Sequence, residues 1–390
     1  MALMMWITGL VCMALATLGC VYLLCAVWSC VKFARERRPK LAAAPPITVL
    51  KPLRGAEPAL LSNLATLCNQ NYPAAIQLVF GVQDPTDEGV AVAKHLRDLY
   101  PHQQMDVIVD QTVHGTNSKV PNLVNMTRAI RHPCIIVADS DISVDPDYLL
   151  CVAAMLQQPG VGGVTCLYRG LPLTGFWSGL SALGIDTHFL PSVLVGVRFG
   201  LAAPCVGSTI ALWKHQLDEI GGFAAFADCL ADDYAIGAAL RRKGLKVAVA
   251  PLLVAHVCPE ASLLQLWRHE LRWARTIRSI DPIGYVGSVI SHPLPFALLA
   301  VAAGATAAGA VLAILALACR LMLLQVTGRT NVAAPFQERA SRWGFLIPIR
   351  DLVSFAVFLW SFFGRRITWG ERTYRVQADG TMIRSKGVKA

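Results

Sequence analysis

The stretch CIIVADSDI, residues 134–142, decides the fold. Cys134–Ala138 is a short uncharged run, the pattern of a strand buried on both faces. It ends in two aspartates at i and i+2, Asp139 and Asp141. On an extended turn their carboxylates point to one side. Hard cations such as Mg2+ or Mn2+ take carboxylate and phosphate oxygens together, so the pair suits a metal that neutralises a departing diphosphate. The competing reading is a pair of loop and cap aspartates, and a D-x-D alone does not decide between them.

Three similar runs lie upstream: Ile47–Leu50 (ITVL), Ile76–Val82 (IQLVFGV) and Met105–Val109 (MDVIV). Helix-length segments near 58–69, 87–100 and 120–131 separate them. Strand and helix alternating at this spacing predict an α/β domain over 47–280, with a parallel sheet covered by helices. Ligands of such sheets sit beyond the carboxyl ends of the strands. Asp84, Asp139 and Asp141 fall there.

The flanks are apolar. Residues 1–31 hold an uncharged run long enough to span a bilayer. It lacks the basic start and cleavage site of a signal peptide. Lys32, Arg35, Arg37, Arg38 and Lys40 follow within a linker, 32–46, and place the next domain in the cytoplasm. Residues 283–326 are too long for one span, and Gly304–Gly309 is a place to turn, giving a helix pair. Residues 343–363 are apolar but contain Arg350 and Asp351. They read as a span with a buried pair or as an interfacial or re-entrant helix. A basic tail, 364–390, closes the chain. The composition is 55% hydrophobic and only 15% charged, with a formal net charge of +10, which fits a multi-pass protein with its excess charge at the anionic leaflet. The basic residues gather beside apolar runs rather than in one stripe, so no nucleic-acid partner is expected. The twelve cysteines form no C-x-x-C pair and read as reduced thiols.

Three further motifs carry chemistry. In FADCLADDYAIG, 226–237, Asp232 and Asp233 precede a helical pattern. They read either as helix-start charges or as a general base, Asp233, with Asp232 beside it. In WRHELRWAR, 267–275, Arg268, Arg272 and Arg275 are spaced to share a helix side, suited to the membrane surface or to diphosphate, with Trp273 lining an acceptor pocket. In NSKVPN, 117–122, Asn117, Lys119 and Asn122 supply donors suited to a nucleotide sugar, though an ordinary helix start explains them equally. No Walker-type loop or G-x-G-x-x-G is present, so phosphate must be handled by metal and arginine. Residues 171–200 are apolar, glycine-rich and lightly charged. They read as a surface meeting the bilayer or as buried core.

In order along the chain, KPLRG (51–55), Asn63–Leu64, Tyr72–Pro73, VQD (82–84), the Asn/Lys/Asn group, DSDI, GGF (221–223), DDY (232–234), RW (272–273) and ITWGERTYRV (367–376) resemble the ceramide-glucosyltransferase-like family of inverting glycosyltransferases. The resemblance is greatest to the bacterial branch associated with hopanoid biosynthesis. It implies an α/β GT-A (Rossmann-like) catalytic domain with membrane helices at both ends, on a bacterial inner membrane, and a single inverting displacement. It implies Asp84 at the uracil–ribose of a UDP-sugar, Asp139 and Asp141 on the metal–diphosphate, Asp233 as base, and Arg272 with Trp273 closing the site. It also puts His188 and Cys205 near the donor. The family's (Q/R)-x-x-R-W reads His269-Glu-Leu-Arg-Trp here, leaving His269 or Arg268 to fill the first position. N-acetylglucosamine and a hopanoid are the implied sugar and lipid acceptor, with glucose and ceramide next. A processive polysaccharide synthase would show a strict Q-x-x-R-W and more spans. A transporter would carry its acidic residues within the spans.

Overall fold

The computed structural model describes residues 2–173, 175–329, 341–364, 366–369, 372–376 and 381–384. Gly370 and Glu371 of the C-terminal motif, and 385–390 of the tail, lie outside the described residues. The central sheet has eight strands: β1 (Ile47–Pro52), β2 (Ile76–Val82), β3 (Gln104–Val109), β4 (Cys134–Val137), β5 (Ile142–Ser143), β6 (Val161–Pro172), β7 (Ile210–Trp213) and β8 (Lys246–Cys258). Their order is β3-β2-β1-β4-β7-β6-β8-β5.

The half containing β1 to β4 is parallel. Helices Leu60–Cys68, Glu88–Leu99 and Val120–Met126 connect it. Burial on both faces accounts for the apolar runs of β1, β2 and β4, whereas β3 at the sheet edge is only half-buried. Gly81 lets helix Val120–Met126 lie directly on β2, because a Cβ there would sit 2.4 Å from Asn122 Oδ1. The expectation of a wholly parallel sheet is corrected by the other half. β7 runs antiparallel to β4 and β6, and β5 antiparallel to β8, while β6 and β8 are parallel. These longer strands carry Gly162, Gly163, Gly170 and Pro251, residues that weaken a strand pattern. Their register shifts between Thr165 and Leu167, opposite the stretch Val249–Leu253 that contains Pro251. A residue without an N–H cannot continue the ladder.

Four helices are long and apolar enough to cross a membrane: Ala2–Ala34, Gly175–Arg198, Thr306–Gly328 and Arg342–Ser361. Pro282–Ser291 and Pro293–Ala302 form a pair bent by 60° that counts as a fifth if it is one broken span. The chain turns between Ala302 and Thr306, around Gly304. The segment 171–200, read as a bilayer-facing surface or as core, is mainly core: 72% of the apolar window of Gly175–Arg198 is buried inside the protein. Its exposed apolar residues are few, among them Phe176, Val197 and Phe199. All twelve cysteines are free.

The end of the chain is more than a charged tail. β9 (Arg366–Trp369), β10 (Arg372–Val376) and β11 (Met382–Arg384) form an antiparallel sheet. Met382 donates its N–H to Asp228 O at 2.9 Å. The C-terminus thereby straps the loop that leads to Asp232.

Candidate active site

The site forms where β4 ends and the chain turns into β5. Lys51, at the end of β1, is fully buried and reaches across to donate to Asp139 O at 2.6 Å and Ile142 O at 3.2 Å. These bonds fix the D-x-D turn from below. Burial lowers the Lys51 pKa to about 8 against the opposing pull of Asp141 and Asp139. The KPLRG motif contains this lysine, but nothing local to the motif points to its role as a brace.

The two aspartates of the turn are not equivalent. Asp139 Oδ1 is 2.6 Å from Lys119 Nζ. Asp141 Oδ2 faces His256 Nδ1 at 3.4 Å, and its Oδ1 is buried with no hydrogen-bond partner. Burial acts to raise the Asp141 pKa, but His256, Lys51 and His269 outweigh it and hold the group at about 2. Asp139, under burial and the repulsion of Asp141, is raised despite Lys119. Asp139 pairs through Oδ1 alone, so each carboxylate of the turn keeps one oxygen without a hydrogen bond.

Helix Asp232–Arg242 begins with the second acid pair. Its N-terminus favours negative charge there. Asp233 Oδ2 accepts the Gly207 N–H at 2.8 Å, and its Oδ1 accepts its neighbour's Tyr234 N–H at 2.7 Å. Gly207 also accepts the Asp139 N–H through its carbonyl at 3.2 Å. A Cβ on Gly207 would stand 2.6 Å from Asp139 Oδ2, so only glycine lets the two acidic segments meet. Burial, reinforced by the charge of Asp232, pushes the Asp233 pKa up to about 7. Asp232 is 3.7 Å from Lys119 Nζ, which makes Lys119 the cation shared by both acid pairs.

Helix Leu263–Ile280 supplies the opposite wall. His269 Nδ1 lies 2.5 Å from Glu260 Oε1, and the His269 and Trp273 rings are 4.3 Å apart edge to face. Trp273 is 5.7 Å from the His256 ring and 6.2 Å from Tyr168 and Phe189, which stack on each other at 4.7 Å. Burial lowers the Arg272 pKa, opposed by Asp141 and Asp139. The result is an acidic floor with one aromatic wall.

Asp139, Asp141, Asp232, Asp233, Lys119, His269, Arg272 and Trp273 thus come together. Asn117 is near but serves as a brace: its Oδ1 accepts the Lys119 N–H at 2.7 Å and its Nδ2 donates to Cys229 O at 2.7 Å. Asp84 is exposed at the rim, its Oδ1 accepting the Thr86 N–H at 2.8 Å. Four expected donor contacts lie elsewhere. Asn122 is buried, donating to Gly81 O at 2.6 Å. Cys205 is buried in core beneath the site, where burial pushes its thiol pKa up. Arg268 is exposed a turn before Arg272. His188 points away into the membrane helices, its Nε2 2.8 Å from Asp351 Oδ1. The three arginines of the helix also divide, since Arg275 donates to Phe363 O at 2.7 Å instead of facing the acids. His256 and Glu260 join the site without having been expected there. Their only signal was position at the carboxyl end of a strand, and β8 itself has no clear strand pattern.

Among the described residues no three His, Cys, Asp or Glu side chains gather closely enough to hold a metal ion by themselves. The unpaired oxygens of Asp139 and Asp141 fit a cation whose remaining ligands come from a diphosphate and water.

The sheet, its order, the acid pair at the end of β4 and the second at the start of helix Asp232–Arg242 define a GT-A glycosyltransferase-type fold carried on membrane helices. A mannosyltransferase from Pyrobaculum calidifontis, solved with GDP-Man and Mn2+, shares this fold at a TM-score of 0.53 and 20% identity, over 90% of this chain and 99% of that one. Residues 11–382 match the model of glycosyl transferase family 21, and the chain belongs to that family. Ceramide glucosyltransferase 1 of Caenorhabditis elegans is 25% identical over 265 residues, 68% of this chain and 56% of that protein. Ceramide glucosyltransferase 3 of the same organism is 27% identical over 210 residues, 54% of this chain and 45% of that protein. The chain spans about half the length of these curated relatives.

Proposed function

We propose that this protein transfers a sugar from a UDP-sugar to the hydroxyl of a lipid acceptor, with inversion at the anomeric carbon. The observation that carries the reading is Asp233: a carboxylate whose pKa is raised to about 7, held by Gly207 against the D-x-D turn. Such a group accepts a proton near neutral pH. Asp233 takes the acceptor's hydroxyl proton as the oxygen attacks. Arg272, aimed toward the acidic floor, offsets charge on the departing diphosphate. Lys119 keeps the crowded carboxylates tolerable to one another. Asp141 and Asp139, with His256 at their side, would hold Mg2+ or Mn2+, which when bound supplies positive charge to the leaving diphosphate. Asn117 braces the Lys119 loop, and Asp84, exposed after β2, is the residue assigned to the nucleoside.

The aromatic wall of Tyr168, Phe189 and Trp273 suits an apolar acceptor. The candidate spans keep the site beside the bilayer, and the basic cluster after the first helix supports a cytoplasmic site on a bacterial inner membrane. N-acetylglucosamine onto a hopanoid is the first donor–acceptor pair. Glucose onto ceramide is the second reading, favoured by the ceramide glucosyltransferase relatives.

The test is transfer by detergent-solubilised full chain, given radiolabelled UDP-N-acetylglucosamine or UDP-glucose, Mg2+ or Mn2+, and hopanoid, ceramide and diacylglycerol acceptors. Label in one organic-soluble product, lost with EDTA, supports the reading and chooses the pair. Label in an aqueous polymer replaces it with a polysaccharide synthase. No label with any pair rejects it.

A further inference from the structure

The helix that carries Arg272 and Trp273 is laced along its other face to the last membrane helix, Ile347–Ser361. Three polar ties join them. Arg350 grips Glu270 with both terminal nitrogens, NH2 to Oε2 at 2.6 Å. Arg275 and Arg278 donate to Phe363 O and Gly364 O at 2.7 and 2.8 Å, just beyond the membrane helix's last turn. Carbonyls at a helix C-terminus have no partner within the helix, and cations there are favourable. Trp267 and Trp360 meet edge to face at 6.3 Å.

Arg350 is built for one geometry. It is 4% exposed, and each of its five guanidinium N–H groups has an acceptor: Ser354 Oγ from Nε and NH2, Leu180 O from NH1, and the two Glu270 oxygens. Its neighbour Asp351, fully buried, faces the other way. Asp351 accepts from Arg320 Nε at 3.3 Å and pairs with His188 at 2.8 Å. Two arginines and two carboxylates cancel in formal charge, the condition under which buried ions are tolerated. Arg350 is therefore fixed by three hydrogen bonds to two groups before it touches Glu270. Glu270 and Arg272 are two residues apart, so they project about 200° apart on the helix. A hold on Glu270 sets the rotation that turns Arg272 toward the acids.

We propose that Arg350 is a positioning residue for the reaction: acting from the last membrane helix through Glu270, it fixes helix Leu263–Ile280 so that Arg272 and Trp273 face the acidic floor. The proposal rests on the function given above. A misplacement of about 1 Å at a charge-stabilising group lowers turnover by about 10²-fold. The expected effect is on kcat, with donor KM nearly unchanged.

The test compares Arg350→Met, Arg350→Lys, Glu270→Gln and the double Arg350→Met/Glu270→Gln in the full chain, by transfer kinetics and by hydrogen–deuterium exchange. Arg350→Met should lower kcat by about 10- to 100-fold with donor KM within about threefold. The double variant should be no worse than Arg350→Met, because the two residues act as one unit. Glu270→Gln keeps the shape and should retain more activity. Amide exchange should rise over 263–280 and stay unchanged in β1 and β4. An unchanged kcat, losses that multiply in the double variant, or a rise in exchange spread evenly over the sheet would each overturn the proposal. If Arg350→Met does not fold, Arg350→Lys and Glu270→Gln carry the same test. A wild-type chain that transfers no sugar rejects the functional reading instead, and the exchange pattern then decides the positioning claim by itself.

Discussion

Two clusters of buried charge sit on opposite sides of one helix. The cluster around Asp139, Asp141, Asp232 and Asp233 has an excess of acid, and buried atoms in it lack partners: Asp141 Oδ1, Asp232 Oδ2, Glu260 Oε2 and His256 Nε2 make no hydrogen bond. The cluster around Arg320, Arg350, Asp351 and Glu270 is balanced, and none of those four residues has a buried unpartnered atom. Unpaired buried groups cost free energy, so a fold keeps them where something else completes them. On the function proposed above a ligand completes the first cluster, and the second holds the protein together in surroundings where water cannot help.

That contrast can be broken most sharply at Asp233. Asp233→Asn should lower transfer by about 10²–10⁴-fold with UDP affinity preserved, as measured with labelled donor and by UDP titration; near-normal turnover would remove the base. The next largest effect is on stability. Asp351→Ala leaves the Arg320 guanidinium buried without its carboxylate and should cost about 3–5 kcal/mol, seen as a lower unfolding midpoint. Asp233→Asn removes a carboxylate whose charge burial and Asp232 disfavour, and above pH about 7 should leave the midpoint unchanged or higher. Equal losses at both positions would erase the distinction between the clusters.

The pH dependence sharpens it further. The folded-state pKa of Asp233, about 7, lies above the ordinary carboxylate value of about 4. The folded protein thus binds this proton more tightly than the unfolded chain. Stability from the group is full below pH about 4 and is lost as pH rises through 7. Activity should move oppositely, rising through pH 7 as the base ionises. Asp233→Asn should flatten the stability profile in that window, and a slope that persists would assign the titration to another group. The smallest effect is expected at the exposed Arg268: Arg268→Ala should change activity by less than about twofold, whereas Arg272→Ala should cost at least about tenfold, like other losses of a charge-stabilising group.

The parallel half of the fold was legible because its strands carry short apolar runs and end in charged or turn residues. The mixed half was not, because glycines and Pro251 interrupt β6 and β8, and pairing of strands so far apart leaves no local signal. Within the site, motif residues such as Asp139, Asp141, Asp233 and Arg272 were recognisable by spacing. His256 and Lys51 were not, since a histidine near a strand end and a lysine inside a strand carry no spacing of their own. Asn122 and His188 misled for the converse reason: a polar residue in a motif can point toward the core, and only packing says which way.

Sequence by itself determined the apolar helices at both ends of the chain, the first four strands, and the acid pairs after β4 and at a helix start, because hydrophobic period and turn chemistry act over a few neighbouring residues. The tertiary structure alone decided that Gly207 joins the two acid pairs, that Asp139 pairs with Lys119 while Asp141 faces His256, and that Arg350 and Asp351, adjacent in the chain, pair with different partners. Those outcomes depend on which distant groups share a buried space, where each charge must find its complement among residues far away in sequence.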